Sequence, residues 1–225
     1  MATGNSVNDE IREQHSKIKE RTTKEKLAYF WEYYKVHTLV AIIAVLVVSN
    51  FIYTLATRKD SALETAFVNT YLGQEVDTEQ MAADYIAYAG IDAKEYQAVI
   101  DGSMYIDYEG MDQYSAANMQ KLMAMVSARS LDVMVTDDLY LEHNMAAGMF
   151  GDLSELLPAE VLAKYEDRLL YKDIPEDDKG EVPVAIDVRD SKYLMSAEVP
   201  AWFTIISNAP NVENARKFLE FLLEE

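Results

Sequence analysis

The 225 residues are half apolar, which suits one ordinary domain with an appendage, and the lack of cysteine excludes disulfides, thiolate metal sites, a cysteine nucleophile and a lipid-modified N-terminal cysteine. Charge is unevenly placed: residues 1–37 hold seven Lys/Arg against six Asp/Glu, while residues 58–225 hold 13 against 33. So acidic a surface repels phosphates, which excludes nucleic acid as a partner and should keep the domain off an anionic lipid surface.

Residues 1–23 are polar, and their composition predicts a disordered cytoplasmic tail. Thr22-Thr-Lys-Glu25 has the spacing of a helix-capping box and opens a helix over 24–37. Tyr29, Phe30, Trp31, Tyr33 and Tyr34 cluster there, as aromatic side chains do at the headgroup level of a membrane. A partner-docking helix is the other reading, and the interfacial collar is preferred. Thr38–Thr57 then runs 20 residues without a charge. At 1.5 Å per residue, about 20 apolar residues cross a hydrocarbon core. A cleaved signal peptide would have a shorter apolar core and a shorter leader, so the segment is expected to be retained as an anchor. Five Lys/Arg lie in residues 18–37 and two in 58–77, which predicts a cytoplasmic N-terminus and an extracellular C-terminal domain. Asn50 lies inside the span. It is either a helix–helix contact, a route to homo-oligomers, or an amide tolerated in a lone helix.

After a linker over 58–65, an α/β domain is expected over 66–225. Ala66–Leu72 reads as a buried strand ending at Gly73. Asp77-Thr-Glu-Gln80 caps a helix with Met81, Tyr85, Ile86 and Ala89 inward, stopped at Gly90. Tyr96–Asp101 is a second strand, and Asp101-Gly102 marks either a hairpin turn or a bulge before Met104–Tyr108. Asp112–Ser130 gives the clearest helix, with Met119, Leu122, Met123 and Val126 at core spacing. Leu131–Asp137 is a strand, and Asp137 or Asp138 can cap a helix to Ala147. A further helix runs to about Asp167, then a charged loop over Arg168–Glu181. Val182–Ile186 and Trp202–Ile206 are strands, and Asn211–Leu223 is an amphipathic helix. Strands alternating with helices predict a three-layer α/β fold with a mostly parallel sheet.

Leu131-Asp-Val-Met-Val, the Gly148–Leu157 run with Asp-Leu-Ser-Glu-Leu, and Trp202-Phe-Thr-Ile-Ile leading into Ala215-Arg-Lys-Phe-Leu-Glu-Phe-Leu222 resemble the extracellular solute-binding proteins of bacterial ABC importers. The resemblance covers roughly Ala66–Glu225 and implies one lobe of a periplasmic-binding fold. Residues 24–60 also resemble the membrane-proximal part of uncharacterised single-pass proteins of Gram-positive bacteria. Two departures stand out. The relatives are lipoproteins or freely secreted, and they have two lobes, whereas only Asp187–Ala201 separates the last two strands here. The resemblance therefore implies a membrane-tethered single-lobe domain that acts by protein interaction, as an accessory to a transport or envelope complex. The alternative is the ligand-binding receptor subunit of an importer.

Catalysis is not expected. His15, His37 and His143 are the three histidines, and His143 sits within a helix as Leu-Glu-His-Asn. A Ser-His-Asp triad requires a geometry that this spacing does not suggest. Glu176–Glu181 lacks the spacing of a calcium loop, and no glycine-rich phosphate loop is present, so neither metal nor cofactor is expected. The expected partners are the lipid bilayer and other membrane or envelope proteins, and a small-molecule ligand is left open. In open α/β sheets a site falls at the carboxyl ends of strands, which gives Asn69, Thr70, Asp101, Ser103, Thr136, Asp137 and Asp187 as candidates. Each also suits a cap or turn.

Overall fold

The computed structural model describes residues 22–145, 147–174 and 180–224, with backbone alone at 25–27, 29, 32 and 33. The expected tail up to residue 21 and the acidic run 176–179 lie outside the described residues. The chain divides into two units, one ending at Arg58 and one running from Lys59.

The first unit contains helix α1 (Thr23–Thr57), about 52 Å long at 1.5 Å per residue. Neither Gly nor Pro occurs in it, so the expected collar helix (24–37) and span (38–57) are one uninterrupted element. Tyr34–Thr57, with a mean hydropathy of 2.4, is long and apolar enough to cross a membrane. Phe30 stacks on Tyr34 at 5.3 Å between ring centroids, and Phe30, Trp31 and Tyr34 are exposed.

The second unit is an open six-stranded sheet in the order β2-β1-β3-β6-β5-β4, with helices on both faces. Its elements are β1 (Asp60–Val68), α2 (Thr78–Tyr88), β2 (Tyr96–Met104), α3 (Gln113–Ser127), β3 (Val133–Thr136), α4 (Asp138–Met145), α5 (Leu153–Leu156), α6 (Ala159–Lys164), β4 (Leu169–Asp173), β5 (Glu181–Asp187), β6 (Trp202–Ile205) and α7 (Val212–Leu222). Residues 60–65, expected in a linker, belong to β1. That strand ends at Val68 rather than at Leu72, and the chain turns at Asn69, whose φ is 55°. Asp101-Gly102 forms a bulge rather than a hairpin, seen as a register shift where Ala66 and Val68 pair with Asp101 and Met104. The helix expected to reach Asp167 is split at Pro158, which breaks the hydrogen-bond ladder between α5 and α6.

β1 pairs in parallel with β2 and β3, while the β3–β6, β6–β5 and β5–β4 ladders are antiparallel. β1, β2, β3 and β5 thus point one way, and β4 and β6 oppose them. Parallel neighbours need a crossover of a dozen or more residues, usually helical, which α2 and α3 supply. Among the described residues, no helix lies between β4 and β5 or between β5 and β6. Part of the expected charged loop, Leu169–Asp173, is instead β4, hairpinned onto β5.

Alternation along the strands sends side chains to two cores. Leu63, Phe67, Val133, Val135, Phe203 and Ile205 pack beneath α2 and α7, and Ala66, Val68, Met134 and Val184 pack beneath α3 and α4. The first core is built around aromatic rings: Tyr85 meets Phe218 edge-on at 5.2 Å, and Phe221 stacks on Tyr193 at 5.0 Å. Of the expected inner face of α3, Leu122 is fully buried, but Met123 is 41% exposed. The methionine stripe on α3 is therefore only half core. Asp132 is buried where β3 begins and ties three parts of the chain. Its carboxylate accepts hydrogen bonds from the Glu64 N–H (2.9 Å), the Asn211 N–H (2.8 Å) and the Asn211 side-chain amide (3.2 Å).

Candidate functional site

From β1 the chain leaves toward the face covered by α2, and from β3 toward the face covered by α4. The gap between their carboxyl ends is therefore the point where open α/β sheets form a crevice. Four of the seven candidates meet there. Asn69 grips the Ile106 peptide from both sides, accepting from its N–H at 2.8 Å and donating to its C=O at 3.0 Å. The same amide donates to Asp137 at 3.3 Å across the gap. Asp137 also caps α4 by accepting from the Tyr140 N–H at 2.9 Å. The Thr70 hydroxyl donates to the Val68 carbonyl at 3.3 Å, and Thr136 is buried beside it on β3. Its hydroxyl has no hydrogen-bond partner among the described residues. The crevice is thus closed by the protein's own polar groups.

The other three candidates lie apart. Asp101 accepts from both the amide and the hydroxyl of Ser103, and meets Lys121 at 2.6 Å. Burial raises its pKa, but the bonds from Lys121 and Ser103 outweigh that and hold the carboxyl below the usual range. Asp101 and Ser103 line a solvent-open groove of about 540 Å³ between β2 and the Tyr71–Thr78 segment. Asp187, at the end of β5, is engaged by Arg189 through the backbone N–H at 3.0 Å and the guanidinium at 2.6 Å. Among the described residues, His143 makes no hydrogen bond to a serine or an aspartate. Its Nδ1 bonds the Leu139 carbonyl one turn back, and its ring stacks on Tyr108 at 4.2 Å.

In α1, Asn50 is exposed and its carbonyl accepts from the Thr54 hydroxyl at 2.9 Å. The Tyr29 and Tyr33 side chains lie outside the described residues.

Several exposed apolar residues at the carboxyl edge were not singled out from the sequence. Tyr71, Tyr105, Met195 and Val199 are each roughly half exposed. The β5–β6 excursion folds back over Tyr71, with the Met195 N–H donating to the Tyr71 carbonyl at 2.9 Å and the Gly73 N–H to the Tyr193 carbonyl at 2.9 Å. The field at this edge is negative. Asp107 foremost, then partial burial, Tyr71, Asp112 and Asp137, push the Tyr105 phenol up. The available signal is the mixture of aromatic and acidic residues in Tyr105-Ile-Asp-Tyr-Glu-Gly-Met-Asp112, a segment that lies between β2 and α3 as loop. Comparison with family models, curated proteins and solved structures finds no match.

Proposed function

We propose that this is a single-pass membrane protein of the cell membrane whose N-terminus is cytoplasmic and whose extracellular domain acts by binding other proteins. The observation that carries the reading is the uncharged apolar stretch of α1, inside a 24-residue segment long enough to span a membrane. The five-to-two basic flank favours the stated orientation, and exposed Phe30, Trp31 and Tyr34 suit the headgroup level on its cytoplasmic side. The outer domain is taken as a single lobe of a solute-binding-like fold, accessory to a transport or envelope complex. In support, β5 and β6 are joined by a short excursion closed at its neck by the Val188 N–H to Ala201 carbonyl bond, with no room for a second lobe. One-sided contact leaves much of a small ligand in water while its loss of free motion still costs several kcal/mol. A protein partner can spread contact over roughly 1,200–2,000 Å².

Two measurements test this. Protease added to intact cells should remove the domain beyond Thr57 and spare residues 1–35, and protection of the large domain would reverse the orientation. Thermal-shift screening of sugars, amino acids and peptides should give no binding. Micromolar binding of one solute would replace the interaction reading with that of an importer receptor.

A further inference from the structure

The loops at the two ends of the sheet differ sharply in charge. At the carboxyl edge, segments 69–77, 101–112 and 137–138 hold eight carboxylates (Glu75, Asp77, Asp101, Asp107, Glu109, Asp112, Asp137, Asp138) and no Lys or Arg. The 187–201 excursion beside them adds Asp187, Asp190 and Glu198 against Arg189 and Lys192, with Arg168 paired to Asp190 and Lys121 to Asp101. At the opposite edge, Lys59, Lys94, Arg129 and Lys172 stand against Asp60, Asp92, Glu95, Asp173 and Glu181. Among the described residues the acidity is therefore greater at the carboxyl edge. Amid these carboxylates stand Tyr71, Tyr105, Met195 and Val199, aromatic and thioether side chains of the kind enriched in interface cores. Tyr71, Met195 and Val199 line a common recess, and Tyr71 also borders the groove beside β2.

The geometry points to the carboxyl edge of the sheet as a docking surface for a basic protein segment that carries apolar anchors. This deepens, and rests on, the reading that the outer domain binds other proteins. Charge decides the occupant. Anionic lipid and nucleic acid meet the same eight carboxylates and are repelled. A second copy of the chain, docked edge to edge by a two-fold axis, would set carboxylate against carboxylate around an apolar centre. A segment with Lys or Arg flanking large apolar side chains satisfies both features, covering the exposed Tyr71, Met195 and Val199 and neutralising the carboxylates around them. The rim carboxylates are already fixed by local bonds. Asp107 accepts from the Glu109 and Gly110 N–H groups, and Asp112 from the Ser115 N–H, so the negative field is in place before a partner arrives.

The test uses the full chain in detergent with Trp31→Phe, leaving Trp202 as the sole tryptophan. Trp202 hydrogen-bonds Asp138 at this edge, so its fluorescence reports docking there. The probes are a Lys/Leu amphipathic peptide and a Lys/Ser peptide of equal charge. The Lys/Leu peptide should bind at least tenfold more tightly, and Tyr71→Ser with Met195→Ser should abolish that advantage. Asp107→Asn with Asp112→Asn preserves the turn and the cap, and should weaken Lys/Leu binding about fivefold. Asp92→Asn with Glu95→Gln, the same charge change at the far edge, should change it less than twofold. Equal effects of the two charge pairs, or an advantage that survives the serine variants, would overturn the surface. So would a dimer that dissociates on the serine substitutions. None of these readings depends on whether α1 crosses a membrane, so failure here is distinguishable from failure of the topology.

Discussion

Asp132→Ala should destabilise the α/β domain by about 3 kcal/mol. The carboxylate is fully buried and receives three N–H donors, two of them from Asn211 at the start of α7. Truncation strands those donors at about 1–3 kcal/mol each, offset by release of the desolvation cost of a buried charge. That cost is visible in Asp132 itself, whose pKa burial raises even though all three bonds pull it down. For a domain of this size about 3 kcal/mol corresponds to a melting point lower by about 6–12 °C. The sign of the pH dependence follows from linkage. A carboxyl raised in the fold contributes stability that is full below its unfolded pKa and is lost as pH rises through the folded value. Glu64, raised by burial and then by Asp132, adds in the same direction. The wild-type advantage over Asp132→Ala should therefore be widest near pH 4 and narrow toward pH 7. Thermal unfolding followed by Trp202 fluorescence in the Trp31→Phe background measures both. A loss below about 1 kcal/mol, or an advantage that widens toward neutrality, would refute the assignment of Asp132 as a buried brace.

Phe218→Ala, which removes a fully buried ring from the aromatic core, should cost about 3–5 kcal/mol in urea unfolding. Asn69→Gly keeps the left-handed turn but loses the clamp on Ile106, whereas Asn69→Ala loses both. Alanine should therefore be the worse by about 1 kcal/mol, and equal melting points would show that the backbone angle is immaterial. Lys121→Ala breaks a 2.6 Å ion pair, but with the lysine side chain 53% exposed the loss should stay below about 1 kcal/mol in the same urea assay.

The parallel half of the sheet was legible because its strands and helices carry their own periods and caps. Asp77 caps α2 as its spacing implied, Asp112 caps α3 at the start of the expected helix, and the apolar run Val133-Met-Val135 reads directly as a buried strand. The second half was less legible, because β4 is a half-buried edge strand, Leu-Leu-Tyr-Lys-Asp, with little apolar alternation, embedded among charges. Its pairing is decided by β5, a tertiary partner that no local pattern announces. The site was legible in part for the same reason. Asn69 and Asp137 stand at predictable strand ends, but the bond between them links residues 68 apart. The exposure of Tyr71 and Met195 depends on where the β5–β6 excursion folds back.

The position of β6 carries a consequence for the order in which the protein can form. It lies between β3 and β5 although it is the last strand in sequence, and α7, later still, supplies Phe218, Leu219, Phe221 and Leu222 to the larger core. Until Trp202–Leu222 has been synthesised, β3 keeps an unpaired apolar edge and the first core has only α2 over it. Such an intermediate cannot settle into a stable partial domain, and its open edge is a hazard for aggregation. On the topology proposed above, a chain that closes its sheet late would stay threadable through a translocation channel until its last strand and helix had emerged.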